Sequence, residues 1–101
     1  MKIQVEPLAL TWEEAKMYAT RHAGRLLFPS ELLQWSKNQN INVDVWTAQE
    51  DFLTPSHAMY LHRSKGIPQS KHKNKRCLLV YAVPEKEVQQ IRRRHNHYRA
   101  S

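Results

Sequence analysis

The sequence predicts an α+β domain in which two helices pack on a small, mostly antiparallel sheet. Two segments in the first part of the chain space their apolar residues three or four positions apart, which is typical of amphipathic helices. Segments on either side of these helices alternate apolar and polar residues, or are rich in β-branched and aromatic residues, which is typical of strands. The length of 101 residues, 41% of them hydrophobic, suits one domain with a modest core.

The first predicted strand covers residues 2–8, where apolar and polar side chains alternate with the period of a half-buried strand. Pro7 lies near the end of this segment and has no backbone N–H to donate to a neighbouring strand. We therefore expect the strand at an edge of the sheet, or to end at this proline.

The first predicted helix follows directly. Thr11 and Glu14 have the spacing of a capping box, in which each side chain bonds the backbone N–H of the other residue. Gly24 is predicted to supply the left-handed residue that ends the helix. The buried face is predicted from apolar residues at helical spacing, namely Trp12, Ala15, Ala19 and Ala23.

The second predicted helix begins near Pro29, with the Ser30 side chain as its cap. Residues 37–42 contain three Asn and are predicted to be the loop that ends it. The apolar side chains of this helix are Leu32, Leu33 and Trp35. All three tryptophans of the chain are predicted to anchor the core: Trp12, Trp35 and Trp46.

The second half of the chain contains three further predicted strands. Residues 43–47 alternate with period two, residues 57–61 form a second candidate, and residues 77–83 are a nearly continuous apolar run that is typical of a central strand. Residues 49–56 are polar, contain a proline and are predicted to be a connector. One face of the first of these strands is assigned to Val43, Val45 and Thr47.

Two basic segments complete the chain. Residues 63–76 are predicted to be a long hairpin loop, mobile because it has almost nothing to bury. Pro84 and the carboxylates that follow it predict the start of a helix that continues to about residue 95. The predicted organisation is an α+β domain over residues 1–84, with its basic loop at 63–76, followed by a basic helix or tail over residues 85–101.

The order of motifs over residues 10–35 resembles the amino-terminal half of small C-type lectin-like domains. The motifs are Leu-Thr-Trp-Glu-Glu-Ala, a helix, Gly-Arg-Leu-Leu and Pro-Ser-Glu-Leu-Leu. They are most similar to the intracellular or bacterial branch that includes the formylglycine-generating-enzyme type and its short bacterial and viral relatives. The resemblance covers roughly residues 3–83, places residues 45–48 and 76–83 on inner strands, and implies a C-type lectin-like fold. It also suggests a virus-associated or host-targeting protein.

The motifs that carry activity in that family do not carry over to this chain. Calcium-dependent sugar binding uses a Glu-Pro-Asn loop and a Trp-Asn-Asp strand, whereas this chain has Trp46-Thr47-Ala48, which lacks the oxygen ligands that a hard cation requires. The catalytic members use a pair of cysteines, and this chain has only Cys77. The resemblance therefore implies neither a calcium site nor that catalytic activity.

The number of cysteines and the hydropathy of the sequence indicate the cellular compartment of the protein. A single cysteine cannot form an internal disulfide, which favours a reducing compartment. No apolar run approaches the roughly 18 residues of a membrane span, and no signal-peptide core follows the first residues. We expect an intracellular protein of the cytoplasm or nucleus that does not bind a membrane.

The six histidines and the single cysteine do not form a recognisable catalytic or metal motif. The histidines lack the spacing of zinc sites, and Cys77 begins an apolar strand, where cysteine is usually a small buried hydrophobe. With only two glycines, the chain has no glycine-rich phosphate loop. We expect no enzyme activity, no metal and no cofactor.

Charge is the clearest functional signal in the sequence. Residues 1–62 hold 5 Lys and Arg against 7 Asp and Glu, whereas residues 63–101 hold 11 against 2. A partner attracted by charge would therefore bind the carboxyl-terminal part of the chain. The candidate binding residues are Arg63, Lys65, Lys71, Lys73, Lys75, Arg76, Arg92, Arg93, Arg94, Tyr98 and Arg99.

Two functions fit this distribution of charge. The leading one is a non-enzymatic interaction module that docks through its basic loop and carboxyl-terminal segment onto an acidic protein partner or assembly. The alternative is a sequence-nonspecific nucleic-acid-binding protein, in which the same cations release counterions from phosphates and Tyr98 stacks on an unpaired base. A third class, a receptor for a sugar or small ligand, would need the calcium ligands that are missing.

Overall fold

A computed structural model describes residues 1–63 and 66–84, which form an α+β fold of two helices and a mixed six-stranded sheet. This confirms the α+β part of the predicted fold class. The elements in chain order are β1 (Lys2–Leu10), α1 (Trp12–Arg21), β2 (Arg25–Leu26), α2 (Pro29–Ser36), β3 (Asp44–Glu50), β4 (His57–His62), β5 (Gln69–His72) and β6 (Cys77–Val83).

The strand order of the sheet is β1-β6-β3-β4-β5, and the short β2 also pairs with β6. Neighbouring strands are antiparallel except β3 and β6, which run parallel. β1 therefore lies at an edge, as its proline predicts, and the register of its pairing with β6 shifts between Glu6 and Ala9, on either side of Pro7.

β6 is the inner strand that the apolar run of residues 77–83 predicts, and the two helices explain why the run is continuous. Alternate side chains of a strand point to opposite faces of the sheet. Cys77, Leu79 and Tyr81 join a core cluster with α1, whereas Val80 and Ala82 join a second cluster with α2. Each helix therefore covers one face of the sheet, and both faces of β6 are buried.

The face predicted for the strand at residues 43–47 is wrong, because this strand is also buried on both sides. Val43 precedes β3 and is 51% exposed, while the consecutive residues Val45, Trp46 and Thr47 are all buried. Strict alternation fails because each face of β3 is covered by one of the helices. β3 also continues to Glu50, so it takes in the start of the predicted connector over residues 49–56.

The first helix begins as predicted and ends differently. Both halves of the capping box between Thr11 and Glu14 are present. The left-handed residue after the helix is Ala23, with φ 57°, and not Gly24, whose φ is not positive. Gly24 is needed for another reason: a Cβ atom built there would lie 2.4 Å from the carbonyl oxygen of Ala82 in β6.

The second helix also has a different cap from the predicted one. Its N-cap residue is Phe28, whose backbone N–H donates to Glu31 Oε1 at 2.9 Å, and Ser30 lies inside the first turn. Arg25 holds the same carboxylate through two 2.8 Å hydrogen bonds. The Arg25 guanidinium lowers the pKa of Glu31 to about 2, with the Phe28 N–H adding to the effect.

The basic segment at residues 63–76 is not the long loop that the sequence predicts. Residues 69–72 form β5, which pairs with β4 along its length. Polar side chains concealed this strand, since β5 is an exposed edge strand that buries little apolar surface. The predicted helix or tail over residues 85–101 lies outside the described residues.

Trp12 and Trp46 are core residues as predicted, whereas Trp35 is only partly buried against the α2 cluster. Each buried indole donates its N–H to a backbone carbonyl: Trp12 to Thr47 at 2.9 Å and Trp46 to Leu10 at 2.8 Å. These hydrogen bonds tie α1 and β1 to β3.

Candidate interaction surface

Five of the candidate binding residues lie in the part of the chain that the structure describes: Arg63, Lys71, Lys73, Lys75 and Arg76. The others lie outside the described residues, namely Lys65, Arg92, Arg93, Arg94, Tyr98 and Arg99. Three of the five described cations bind carboxylates of distant segments.

Lys73 lies where α1, β3 and β5 meet. Its Nζ donates to Glu50 Oε2 at 2.8 Å and lies 4.8 Å from the centre of the Trp12 ring. Its backbone N–H donates to Ser56 O at 2.9 Å, and its carbonyl accepts from Trp12 N at 3.2 Å. The ammonium group lowers the pKa of Glu50. Lys73 thus fastens the start of α1 to the loop between β3 and β4.

A second cluster is centred on Asp44, whose carboxylate is bound by Lys75 Nζ and His62 Nδ1. Lys75 also lies 4.4 Å from the centre of the Tyr60 ring. Burial opposes ionisation of Asp44, but the hydrogen bonds from Lys75 and His62 outweigh it, and the net effect lowers the pKa of Asp44. The cluster joins the start of β3, the end of β4 and the turn before β6.

We expect Asp44→Asn to lower the free energy of unfolding at pH 7 by about 2 kcal/mol, because it leaves Lys75 without its charged partner. The folded pKa of Asp44 is lowered, so its contribution is present above the unfolded pKa and is lost as pH falls through the folded pKa. The difference between wild type and variant should therefore shrink on acidification below the ordinary Asp pKa of about 3.9.

Urea unfolding at neutral and acid pH measures this difference. Glu13→Gln is the matched control, since Glu13 is an exposed carboxylate whose Lys16 partner is 4.0 Å away. It should change stability by no more than about 0.5 kcal/mol. A loss for Asp44→Asn that is equal at both pH values would contradict the assigned charge interaction.

The other three candidate binding residues in the described part of the chain are more exposed than Lys73 and Lys75. Arg76 contacts Glu14 at 3.5 Å and Ala9 O at 3.3 Å, and 61% of its side chain is accessible. Arg63 has a positive φ of 51° in the turn after β4, and Lys71 lies on β5. Within residues 1–63 and 66–84, neither Arg63 nor Lys71 makes an ion pair.

The loop between β3 and β4, here called the 51–56 turn, displays the two most exposed large apolar side chains in the described part of the chain. Phe52 is 85% exposed and Leu53 is 94% exposed. Sequence reasoning misses both residues because the polar composition of residues 49–56 predicts a connector. The adjacent Phe-Leu pair within it was the available signal, since a connector has no core of its own to bury such side chains.

Hydrogen bonds hold the 51–56 turn in one conformation. Asp51 Oδ1 accepts from Leu53 N at 3.1 Å, and Asp51 Oδ2 accepts from Ser70 Oγ at 2.7 Å. The Asp51 carbonyl accepts from Thr54 N at 3.1 Å, and the Thr54 carbonyl accepts from His57 N at 2.9 Å. The Ser70 hydroxyl, followed by the Leu53 N–H, lowers the pKa of Asp51. The two apolar side chains therefore project from an ordered turn.

Cys77 is buried, as predicted, and makes no disulfide. Desolvation raises the pKa of its thiol to about 12, so it is not a thiolate at neutral pH. Among the described residues, no group of three or more His, Cys, Asp or Glu side chains is placed to hold a metal ion. Neither α1 nor α2, the helices of the described residues, has the length and hydropathy needed to cross a bilayer.

Comparison of the sequence with protein-family models gives no match, and comparison with curated proteins gives no match either.

Proposed function

We propose that this protein is a non-enzymatic interaction module that docks onto an acidic protein partner. The contact combines the apolar 51–56 turn with the basic residues of the segments at 63–76 and 85–101. The observation that carries the proposal is the exposure of Phe52 and Leu53 on a turn that hydrogen bonds already order.

The 51–56 turn has the properties of an interface anchor. Aromatic side chains are enriched at the energetic centres of protein interfaces, where they fill pockets of the partner. Ordering a loop on binding opposes association, so a turn that is ordered in advance retains more of the contact energy. Burying Phe52 and Leu53 in a partner would remove from water two side chains that the described residues leave exposed.

The exposed apolar turn favours a protein partner over a nucleic acid. Lys73 and Lys75 already bind Glu50 and Asp44, so any acidic partner would have to compete with these carboxylates for the two lysines. The chain nevertheless has a net charge of +7, and residues 85–101 alone hold 5 Lys and Arg against 2 Glu. This excess steers the module towards an acidic surface, where the apolar turn then supplies affinity that salt does not screen.

We also infer that the domain is C-type lectin-like. The inference is supported by the chain order, in which α1 and α2 lie between the edge strand β1 and the later strands. The segments that the resemblance places on inner strands are parts of β3 and β6, and both are inner strands of the sheet. The motifs for calcium and for cysteine catalysis are missing from the sequence, so the scaffold is proposed to act through its surface.

Phe52→Ser combined with Leu53→Ser should abolish partner capture without unfolding the protein. The experiment is affinity capture from an extract of the source cells at moderate salt, with nuclease treatment of half of each sample. A discrete protein should survive nuclease and be lost with the double variant. Binding of the purified partner should then weaken at least tenfold, which corresponds to about 1.4 kcal/mol.

The matched control is Met17→Ser combined with Val43→Ser, which removes two exposed apolar side chains elsewhere. A second variant changes Arg92, Arg93, Arg94 and Arg99 to Ser and should reduce capture mainly at low salt. Capture that disappears entirely with nuclease, and is unaffected by the Phe52 and Leu53 changes, would identify a nucleic-acid-binding protein and overturn the proposal.

A further inference from the structure

β1 leaves one of its two edges unpaired in the part of the chain that the structure describes, where β6 is its only strand neighbour. Residues 2–6 pair in uninterrupted register with residues 83–79 before the irregularity around Pro7. Their outward backbone groups can therefore accept a further strand. Val5, at 45% exposure, adds an apolar side chain beside this edge.

The sequence of this edge is complementary to itself. If a second copy pairs antiparallel about a two-fold axis through Gln4, Lys2 lies opposite Glu6 of the other copy, and Ile3 lies opposite Val5. Gln4 then faces its own counterpart. Opposite-charge pairs directly across antiparallel strands are stabilising, and the apolar pair removes surface from water.

The faces of β1 agree with this pairing. Ile3 and Val5 lie opposite Ala82 and Val80, so their side chains point to the α2 face of the sheet. Lys2, Gln4 and Glu6 point to the α1 face, where Tyr81 Oη contacts Glu6 at 3.5 Å. A two-fold axis perpendicular to the sheet keeps each face on the same side in both copies. The two residues of each cross-strand pair therefore lie on the same face and can contact each other.

We propose that a second copy of this chain pairs antiparallel with β1 over residues 2–6 and joins the two sheets into one. Pro7 has no N–H, and the register irregularity beyond Glu6 disrupts further pairing, so the contact is confined to this self-complementary stretch. An interface of this length is small, and the dimer should therefore dissociate on dilution.

Sedimentation of the full chain over a range of concentrations tests the proposal. We expect the mass to rise from 12.0 kDa towards twice that value. Lys2→Glu places a glutamate opposite Glu6, and Glu6→Lys places a lysine opposite Lys2, so each variant should weaken the dimer at least about tenfold. Combining Lys2→Glu with Glu6→Lys exchanges the charges and should restore it.

Mixing the two single variants provides a sharper test. The Lys2→Glu chain has glutamate at both charged positions of the edge, and the Glu6→Lys chain has lysine at both. Two chains that are each monomeric should therefore form a mixed dimer. Lys37→Glu is the matched control, because it makes the same change in net charge as Lys2→Glu at an exposed residue after α2 and should leave the dimer intact. The thermal midpoint of each variant verifies folding.

A chain that stays monomeric at all concentrations overturns the proposal. So does a dimer that tolerates Lys2→Glu, or a pair of single variants that fails to associate on mixing, since both would place the contact elsewhere.

Discussion

Trp46→Ala should lower the free energy of unfolding by about 4 kcal/mol, a large part of the 5–15 kcal/mol typical of a small domain. Trp46 is 0% exposed and belongs to the cluster between α1 and the sheet. Its ring packs edge-on against Tyr60, with centroids 6.3 Å apart. Truncation leaves a cavity and deprives the Leu10 carbonyl of the 2.8 Å hydrogen bond from Trp46 Nε1.

Urea denaturation of Trp46→Ala and Trp35→Ala measures this effect against a matched change. Trp35 is only partly buried, so its truncation should lower stability by less than half as much. Equal losses for the two variants would contradict the deeper burial of Trp46 in the core around β3.

Gly24→Ala should be the second most damaging of these substitutions, with a loss of about 3 kcal/mol. The added Cβ would lie 2.4 Å from Ala82 O and 2.9 Å from a methyl group of Val83. The first contact is with backbone, which cannot rotate away, so β2 would have to move off β6. The substitution therefore tests whether this close approach is needed for the sheet.

Gly66→Ala is the control for this substitution, because a Cβ there meets nothing within 4 Å. Its φ is not positive either, so alanine fits without strain and stability should change by no more than about 0.5 kcal/mol. The comparison is made by thermal or urea unfolding of both variants. A loss for Gly66→Ala as large as that for Gly24→Ala would assign the effect to glycine itself rather than to the contact with Ala82.

The sequence predicts the elements whose signals are local. The capping box of α1 involves residues three positions apart, and the apolar run of β6 is strong enough to identify an inner strand. Two predictions from local signals are wrong because contacts with residues farther along the chain give the position a different role. Gly24 accommodates β6 instead of ending α1, and Arg25 and Glu31, six positions apart, organise the start of α2 in place of Ser30.

The candidate surface is less accessible to sequence reasoning, because the partners of the basic residues are distant in the chain. Lys73, Lys75 and Arg76 bind carboxylates that lie 23, 31 and 62 residues away, respectively. Composition alone presents these cations as candidate binding residues of a long loop. The Phe-Leu pair within residues 51–56 is a signal for two exposed apolar side chains, but the conformation of the turn that carries them depends on where the ends of β3 and β4 meet.

The pairing of β1 with β6 has a consequence for how the chain folds. These strands join residues 2–10 to residues 77–83, so β1, which is made before the other described strands, has no partner in the sheet until β6 has been made. Contacts of such high sequence separation require closure of a long loop and slow the folding of small domains. Until then β1 has both edges unpaired, so the nascent chain is most prone to aggregation while β6 is still inside the ribosome.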